Sequence, residues 1–241
     1  MHIERRDDRV LATLDRPATR NAIDEATVGE LHALCAELEA DPRILILTGA
    51  GGVFASGADI AELRERTGAD ARRGINSSAF IRVHELPMPV IAAVDGWALG
   101  GGAELAYAAD IRIATPAARF GNPETGLGIL AAAGASWRLK QIVGDALAID
   151  MLLTGRVLDA DAALAAGLVS SLHRADELLN AAHEIADRIA ANDARATQLT
   201  KRVFAAPHDR HPEADIEAQA ELFDRPEKYE RMTAFLERRK K

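Results

Sequence analysis

The sequence predicts an α/β core over residues 1–190 followed by a helical C-terminal region over 191–241, on three observations. From Val10 to about Val169, short apolar runs alternate with amphipathic stretches, which is the pattern of an α/β domain. Two of those runs, Ile44-Leu45-Ile46-Leu47 and Val90-Ile91-Ala92-Ala93-Val94, are continuous rather than alternating, as expected of strands covered on both faces. After Leu172 the apolar runs give way to helical stretches punctuated by Pro207, Pro212 and Pro226.

The elements follow in order. Val10–Leu14 reads as the first strand. Asp24 then caps a helix whose apolar stripe is Val28, Leu31, Cys35 and Leu38. Ile44–Thr48 is a buried strand that runs into a glycine-rich loop, with a helix beginning near Asp59. Val90–Asp95 is a second buried strand, and a helix starts within Gly100–Gly102 and runs to Ala109. Ile111–Ala114 and Val169–Leu172 read as strands, with helices near Ser136–Val143, Ala146–Thr154 and Asp159–Ala166 between them. Leu178–Asn192, Ala194–Ala205, Ala214–Phe223 and Glu227–Lys240 make the C-terminal region helical, and the Arg238–Lys241 run reads as a frayed end.

Composition narrows the function. A chain of 241 residues buries roughly 70–75% of its unfolded surface, so it needs no staple. Aromatic residues are only 4%, so the interior relies on close backbone packing among Ala and Gly. A net charge of −8 argues against a general nucleic-acid binder, which needs a basic face to displace counterions. Cys35 is the only cysteine and reads as core, so no intrachain disulfide forms. His84, His173 and His183 lack ligand-like spacing, and no metal is expected. The charged start, Met1 to Val10, has no apolar signal-peptide core, and no apolar run reaches membrane-spanning length. A cytoplasmic location without membrane contact is the expectation.

Chemistry concentrates at two glycine turns. In one, Thr48-Gly49-Ala50-Gly51-Gly52-Val53-Phe54-Ala55-Ser56-Gly57-Ala58-Asp59-Ile60, a buried strand ends in a glycine loop that opens a helix. The other, Val94-Asp95-Gly96-Trp97-Ala98-Leu99-Gly100-Gly101-Gly102-Ala103-Glu104-Leu105, repeats the arrangement. Ligand atoms approach a backbone closely only where no Cβ obstructs them, and free N–H groups at a helix start favour negative charge. Two converging turns of this kind supply the pair of donors an oxyanion hole needs. Tight strand-to-helix turns alone also explain such glycines. Neither turn has the dinucleotide G-x-G-x-x-G spacing or that of a P-loop. Glu104 sits in the first turn of its helix, and Glu124 lies in the tight loop Phe120-Gly121-Asn122-Pro123-Glu124-Thr125-Gly126.

These segments together resemble the crotonase superfamily, in its enoyl-CoA hydratase/isomerase branch. Arg16-Pro17-Ala18-Thr19-Arg20-Asn21-Ala22 is similar to the family's R-P-x-x-x-N-A motif, and Phe54–Ile60 to its first oxyanion segment. Pro89–Gly96 followed by Gly100–Ala106 resembles the second. Ala109-Asp110-Ile111-Arg112, Phe120–Glu124, Leu153-Thr154-Gly155, Ala165–Val169 and Met232–Arg238 follow in the family's order.

The resemblance implies a spiral of ββα units with a helical C-terminal region that takes part in oligomerisation, as a homotrimer or dimer of trimers, and in completing the CoA site. It implies an oxyanion hole from the N–H groups of Ala58 and Gly101, with Glu104 and Glu124 as the catalytic carboxylates. It places Arg20, Ala22, Ser56, Ala58, Asp59, Ile60, Gly101, Phe235 and Arg238 around coenzyme A, which enters as part of the substrate; no cofactor is held permanently. The implied reaction is hydration of a trans-2-enoyl-CoA. Δ3-Δ2-enoyl-CoA isomerisation, another acyl-CoA transformation and silent acyl-CoA binding are the alternatives. One departure stands out: Ala131-Ala132-Ala133-Gly134-Ala135-Ser136 replaces the usual P-G-A-G-G-T and adds Cβ atoms beside the acyl pocket. Trp97, where relatives carry Tyr, Phe or a small residue, is expected either to line that pocket or to be buried.

Overall fold

A computed structural model describes residues 1–238 and divides the chain into two compact units, the first Met1–Ala186, the second beginning at Asp187. The division falls four residues before the boundary expected at 190. The last residues of the expected Glu227–Lys240 helix and of the Arg238–Lys241 run lie outside the described residues.

The first unit is built on a sheet with strand order β1-β2-β3-β4-β6. β1 (His2–Arg5) pairs antiparallel with β2 (Arg9–Leu14), and the remaining neighbours are parallel. Between β2 and β3 (Ile44–Gly49) runs α1 (Glu25–Ala40). Asp24 caps α1 by accepting the Thr27 N–H at 2.8 Å, a bond worth about 1 kcal/mol. The helix buries Val28, Leu31, Leu34, Cys35 and Leu38, each contributing roughly 1.5–3 kcal/mol if its apolar surface is fully removed from water. Burial pushes the Cys35 thiol up to about 11, so it is an inert core residue.

After β3 come α2 (Ile60–Glu65), α3 (Gly68–Arg73) and α4 (Ile75–His84). β4 (Val90–Val94) is buried at every position, as its unbroken apolar run requires. A second sheet, β5-β7-β8, is formed by Trp97–Leu99, Arg119–Gly121 and Val157–Asp159. α5 (Gly101–Ala108) leads into β6 (Ile111–Ala114). A π-helical turn, Ala135–Leu139, runs into α6 (Lys140–Val143), followed by α7 (Asp145–Thr154) and α8 (Ala160–Ala165). Phe54, Phe80, Tyr107 and Phe120 are its fully buried aromatic rings.

Val169–Leu172 is not a strand. Ser170 N–H reaches Arg112 O, yet Ala114 N–H reaches Ser171 O, so one extra residue bulges the ladder and leaves a single Ala114–Leu172 bridge. Over 60–86 the sequence predicts only a helix beginning near Asp59. α2 and α3 bury no residue and therefore carry no apolar stripe to read.

α9 (Leu178–Ala190) contains the division between the units. The second unit holds α10 (Ala194–Phe204), α11 (Glu213–Phe223) and α12 (Pro226–Arg238). Arg195 on α10 pairs with Glu221 on α11. Among the described residues no helix is long and apolar enough to cross a membrane, and no group of three His, Cys, Asp or Glu could hold a metal ion.

Candidate active site

The first wall of the site is stapled by the R-P-x-x-x-N motif. Asn21 sits in the left-handed region, at φ 57°, a conformation its short amide tolerates. Its side chain accepts the Arg16 N–H at 2.8 Å and donates to Ala50 O at 2.9 Å and Val53 O at 2.7 Å. Arg16 donates to Ala22 O at 2.6 Å and pairs with Asp24 at 2.9 Å and Asp59 at 3.8 Å. The loop after β3 is thereby fixed against residues 16–24. Ile23 N–H then bonds Gly57 O at 2.8 Å, and Asp59 N–H bonds Ile23 O at 3.0 Å. In a parallel bridge of this kind the residue between, Ala58, turns its own N–H away from the ladder. That N–H donates no hydrogen bond among the described residues.

The second wall follows β5. Ala55 N–H bonds Trp97 O and Leu99 N–H bonds Ala55 O, both at 3.0 Å, which ties the two glycine turns together. Gly101 opens α5, so its N–H is among the orphan donors of a helix start and likewise donates no bond among the described residues. A Cβ built on Gly101 would lie 3.5 Å from Ala58 N, so the two unpaired amides are close neighbours. Gly102 is compelled by packing: its Cβ would fall 2.3 Å from Ala55 O.

Two carboxylates face the same space. Glu104, 3% exposed in α5, accepts the Ala133 N–H at 2.7 Å and the Ala135 N–H at 3.1 Å, both on Oε1. Burial pushes its pKa up to about 7; the Ala135 and Ala133 amides oppose the rise, and repulsion from Glu124 adds to it. Glu124, 9% exposed, is also raised, chiefly by burial; its own backbone N–H and the Asn122 amide pull the other way. Its Oε2 is buried without a hydrogen-bond partner among the described residues. An orphaned carboxylate oxygen beside an ionisable neighbour is an arrangement poised to carry a proton.

Both glutamates line a pocket of about 540 Å³, together with Ala58 and Gly101. Its apolar walls include Ile60, Leu63, Leu99, Leu127, Ile129 and Leu130. Ala132 and Ala133 of the altered segment lie on it, and the Gly134 turn is what aims the Ala133 and Ala135 amides at Glu104.

Of the residues expected around the substrate, Ser56, Ala58, Ile60, Gly101, Glu104 and Glu124 line the pocket. Arg20, Ala22 and Asp59 do not. Arg20 is exposed, and its carbonyl receives the Ser56 N–H at 3.1 Å. Ala22 is buried against Arg16, and Asp59 caps α2 by accepting the Ala61 N–H at 3.0 Å. Phe235 and Arg238 lie on α12 of the second unit and are exposed. Trp97 neither lines the pocket nor is buried. It is 44% exposed, because Ala98 is the β5 residue that faces the core. Sequence reasoning missed the polar end of the pocket, Arg66, Thr67, Asp70, Asn76 and Ser77; the first three lie at α2 and α3, which bury nothing, and the last two in the first turn of α4, ahead of its buried Ala79, Phe80 and Val83. Asn122 carries no role in the sequence reading, and Tyr107 falls unnamed within the helix expected to run to Ala109.

The ββα spiral, with two glycine turns stitched side by side under a pair of buried carboxylates, defines a protein of the crotonase class. A family model described as enoyl-CoA hydratase/isomerase matches residues 7–241. The chain belongs to that family. It is similar to a short-chain-enoyl-CoA hydratase of Clostridium acetobutylicum, at 41% identity over 95% of this chain and 92% of that one. A crotonyl-CoA hydratase of Syntrophomonas wolfei is 36% identical over 99% of this chain and 95% of its own length. Among solved structures, an enoyl-CoA hydratase of Bacillus anthracis superposes with a TM-score of 0.93 at 31% identity, covering 98% of this chain and 96% of that one.

Proposed function

We propose that this protein is an enoyl-CoA hydratase, adding water across the 2,3 double bond of a trans-2-enoyl-CoA to give a 3-hydroxyacyl-CoA. The observation that carries the reading is the meeting of two acceptor-less amides, Ala58 and Gly101, with two buried glutamates of raised pKa in one pocket.

In this reading the thioester carbonyl oxygen takes both N–H groups, which stabilise it as negative charge develops. Ionised Glu104 removes a proton from water as the oxygen attacks C3. Protonated Glu124 delivers its proton to C2, and exchange with solvent restores the pair. Because the two carboxyls interact, their titrations belong to the pair rather than to either residue alone. The apolar wall holds the acyl chain, and Ala132 narrows it relative to glycine. Coenzyme A arrives and leaves with the substrate, and no resident cofactor takes part.

Arg20 is assigned to the CoA side through its tie to Ser56. Phe235 and Arg238 are assigned to CoA in the same or a neighbouring subunit of a homotrimer or dimer of trimers. Exposed Met232, Phe235 and Leu236 on α12 support such an assembly, which sedimentation measures directly. A cytoplasmic location belongs to the same reading.

The test is turnover of crotonyl-CoA, followed as loss of the enoyl thioester's ultraviolet absorbance. No turnover with crotonyl-CoA or longer 2-enoyl-CoAs rejects the hydratase. Glu124→Gln should abolish hydration and Δ3-Δ2 isomerisation alike, whereas Glu104→Gln should spare isomerisation if that is the native reaction; equal loss in both assays would contradict separate roles.

A further inference from the structure

One buried amide beside the site is left unused by this chemistry. Asn122 is 1% exposed and touches three groups. The Tyr107 hydroxyl donates to its Oδ1 at 3.1 Å. Its Nδ2 lies 3.5 Å from Gly100 O and 3.4 Å from Glu124 Oε1, both acceptors. Turned over, the amide would set its oxygen against a carbonyl and a carboxylate. The orientation is therefore dictated by its neighbours, and the Tyr107 hydroxyl is the group that rewards Oδ1 for facing away from the site.

Two consequences meet at Nδ2. Gly100 O and Gly101 N–H are the two ends of one peptide unit, so donation to the carbonyl polarises the amide and strengthens its N–H as a donor. Donation to Glu124 favours that carboxyl's anion and restrains it beside Gly100, where a Cβ would come within 3.2 Å of Glu124 Oε1.

We infer that Tyr107 is a positioning residue, whose hydroxyl locks the Asn122 amide so that one Nδ2 serves both the Gly100–Gly101 peptide and Glu124. Tyr107 itself is 2% exposed and does not line the pocket. Burial raises its pKa, so it stays a neutral donor. The other charged or titratable groups near the relay are Glu104, three residues before Tyr107 on α5, and Arg112 from β6. Arg112 is occupied by the carbonyls of Leu168, at 2.8 Å, and Ala109. Arg66 and Asp70 line the same pocket. The kinetic consequence rests on the hydratase reading; the geometric one does not.

Tyr107→Phe, Asn122→Leu and the double variant form a cycle that separates this role from mere core packing. Two readouts are taken: the titration of the Glu124 carboxyl by ¹³C NMR, assigned with Glu124→Gln, and kcat and KM on crotonyl-CoA. Tyr107→Phe is expected to raise the Glu124 midpoint and lower kcat about tenfold, the equivalent of roughly one neutral hydrogen bond. KM stays within about twofold. Asn122→Leu moves both readouts the same way, and adding Tyr107→Phe to it changes neither further. If Asn122→Leu does not fold, Asn122→Ser takes its place in the cycle. An unmoved midpoint in Tyr107→Phe overturns the inference, as does a Tyr107→Phe effect that persists undiminished without Asn122. Should the wild type fail to hydrate any enoyl-CoA, the proposed function falls, and the NMR titration still decides the relay.

Discussion

Replacing Glu104 by Gln should destroy turnover and stabilise the protein at neutral and alkaline pH. Burial holds the Glu104 pKa at about 7 against an ordinary 4.5. Below 4.5 the side chain is protonated in folded and unfolded chains alike, so its charge imposes nothing. As pH rises, the unfolded chain releases this proton first, and the folded state loses stability progressively until about 7. At about 1.4 kcal/mol per pH unit the deficit reaches about 3 kcal/mol and then stays constant. Glutamine removes the charge yet keeps an oxygen for the Ala133 and Ala135 amides. Urea unfolding at fixed protomer concentration, from about pH 4.5 to about pH 8.5, should show the two proteins converging at the acid end. At the alkaline end the variant should be ahead by up to about 3 kcal/mol. Hydration should meanwhile fall about 10²–10⁴-fold. A stability difference independent of pH, or a wild type that is more stable at alkaline pH, would refute the buried-charge argument.

The remaining predictions concern the walls of the site. Gly101→Pro is tolerated by the first position of a helix but deletes one donor, so kcat should fall about 10²–10³-fold while CoA affinity, read by calorimetry, changes far less. Unchanged turnover in the folded variant would remove Gly101 from the site. Gly102→Ala should unfold several degrees lower in a thermal melt, because its Cβ meets Ala55 O at 2.3 Å and overpacking costs about 1–3 kcal/mol. An unchanged midpoint would contradict the tight contact between the two glycine turns. Asn21→Gly keeps the left-handed backbone but cuts the bonds to Arg16, Ala50 and Val53. It should lose about 1–3 kcal/mol in urea and lower kcat; full stability would show that the loop does not depend on that staple.

Much of the site was legible because its parts are local. A glycine turn after a buried strand shows in the sequence whether or not its partner is known, and Ala58 and Gly101 fall in two such turns, whereas Glu104 and Glu124 stand out only through the family resemblance. The pKa of Glu104 was not legible. It follows from burial and from the Ala133 and Ala135 amides, contributed by residues about 30 positions away. The altered Ala131–Ser136 segment was noticed for its added methyl groups, whereas its main-chain N–H groups are what hold the glutamate. The polar rim at Arg66, Thr67 and Asp70 was not legible because α2 and α3 bury nothing, and only a buried face leaves a periodic trace.

From the order of residues alone came the α/β class, the two strands sealed on both faces, the capped first helix and the family resemblance. These rest on hydrophobic period and turn chemistry, which act between residues a few positions apart. Tertiary structure decided that the amides of residues 58 and 101 are neighbours, that both carboxyls are driven toward their neutral forms, and that Trp97 faces outward. It also decided that Val169–Leu172 breaks its ladder. Each of these depends on segments distant in sequence being brought into contact, and on the water that contact excludes.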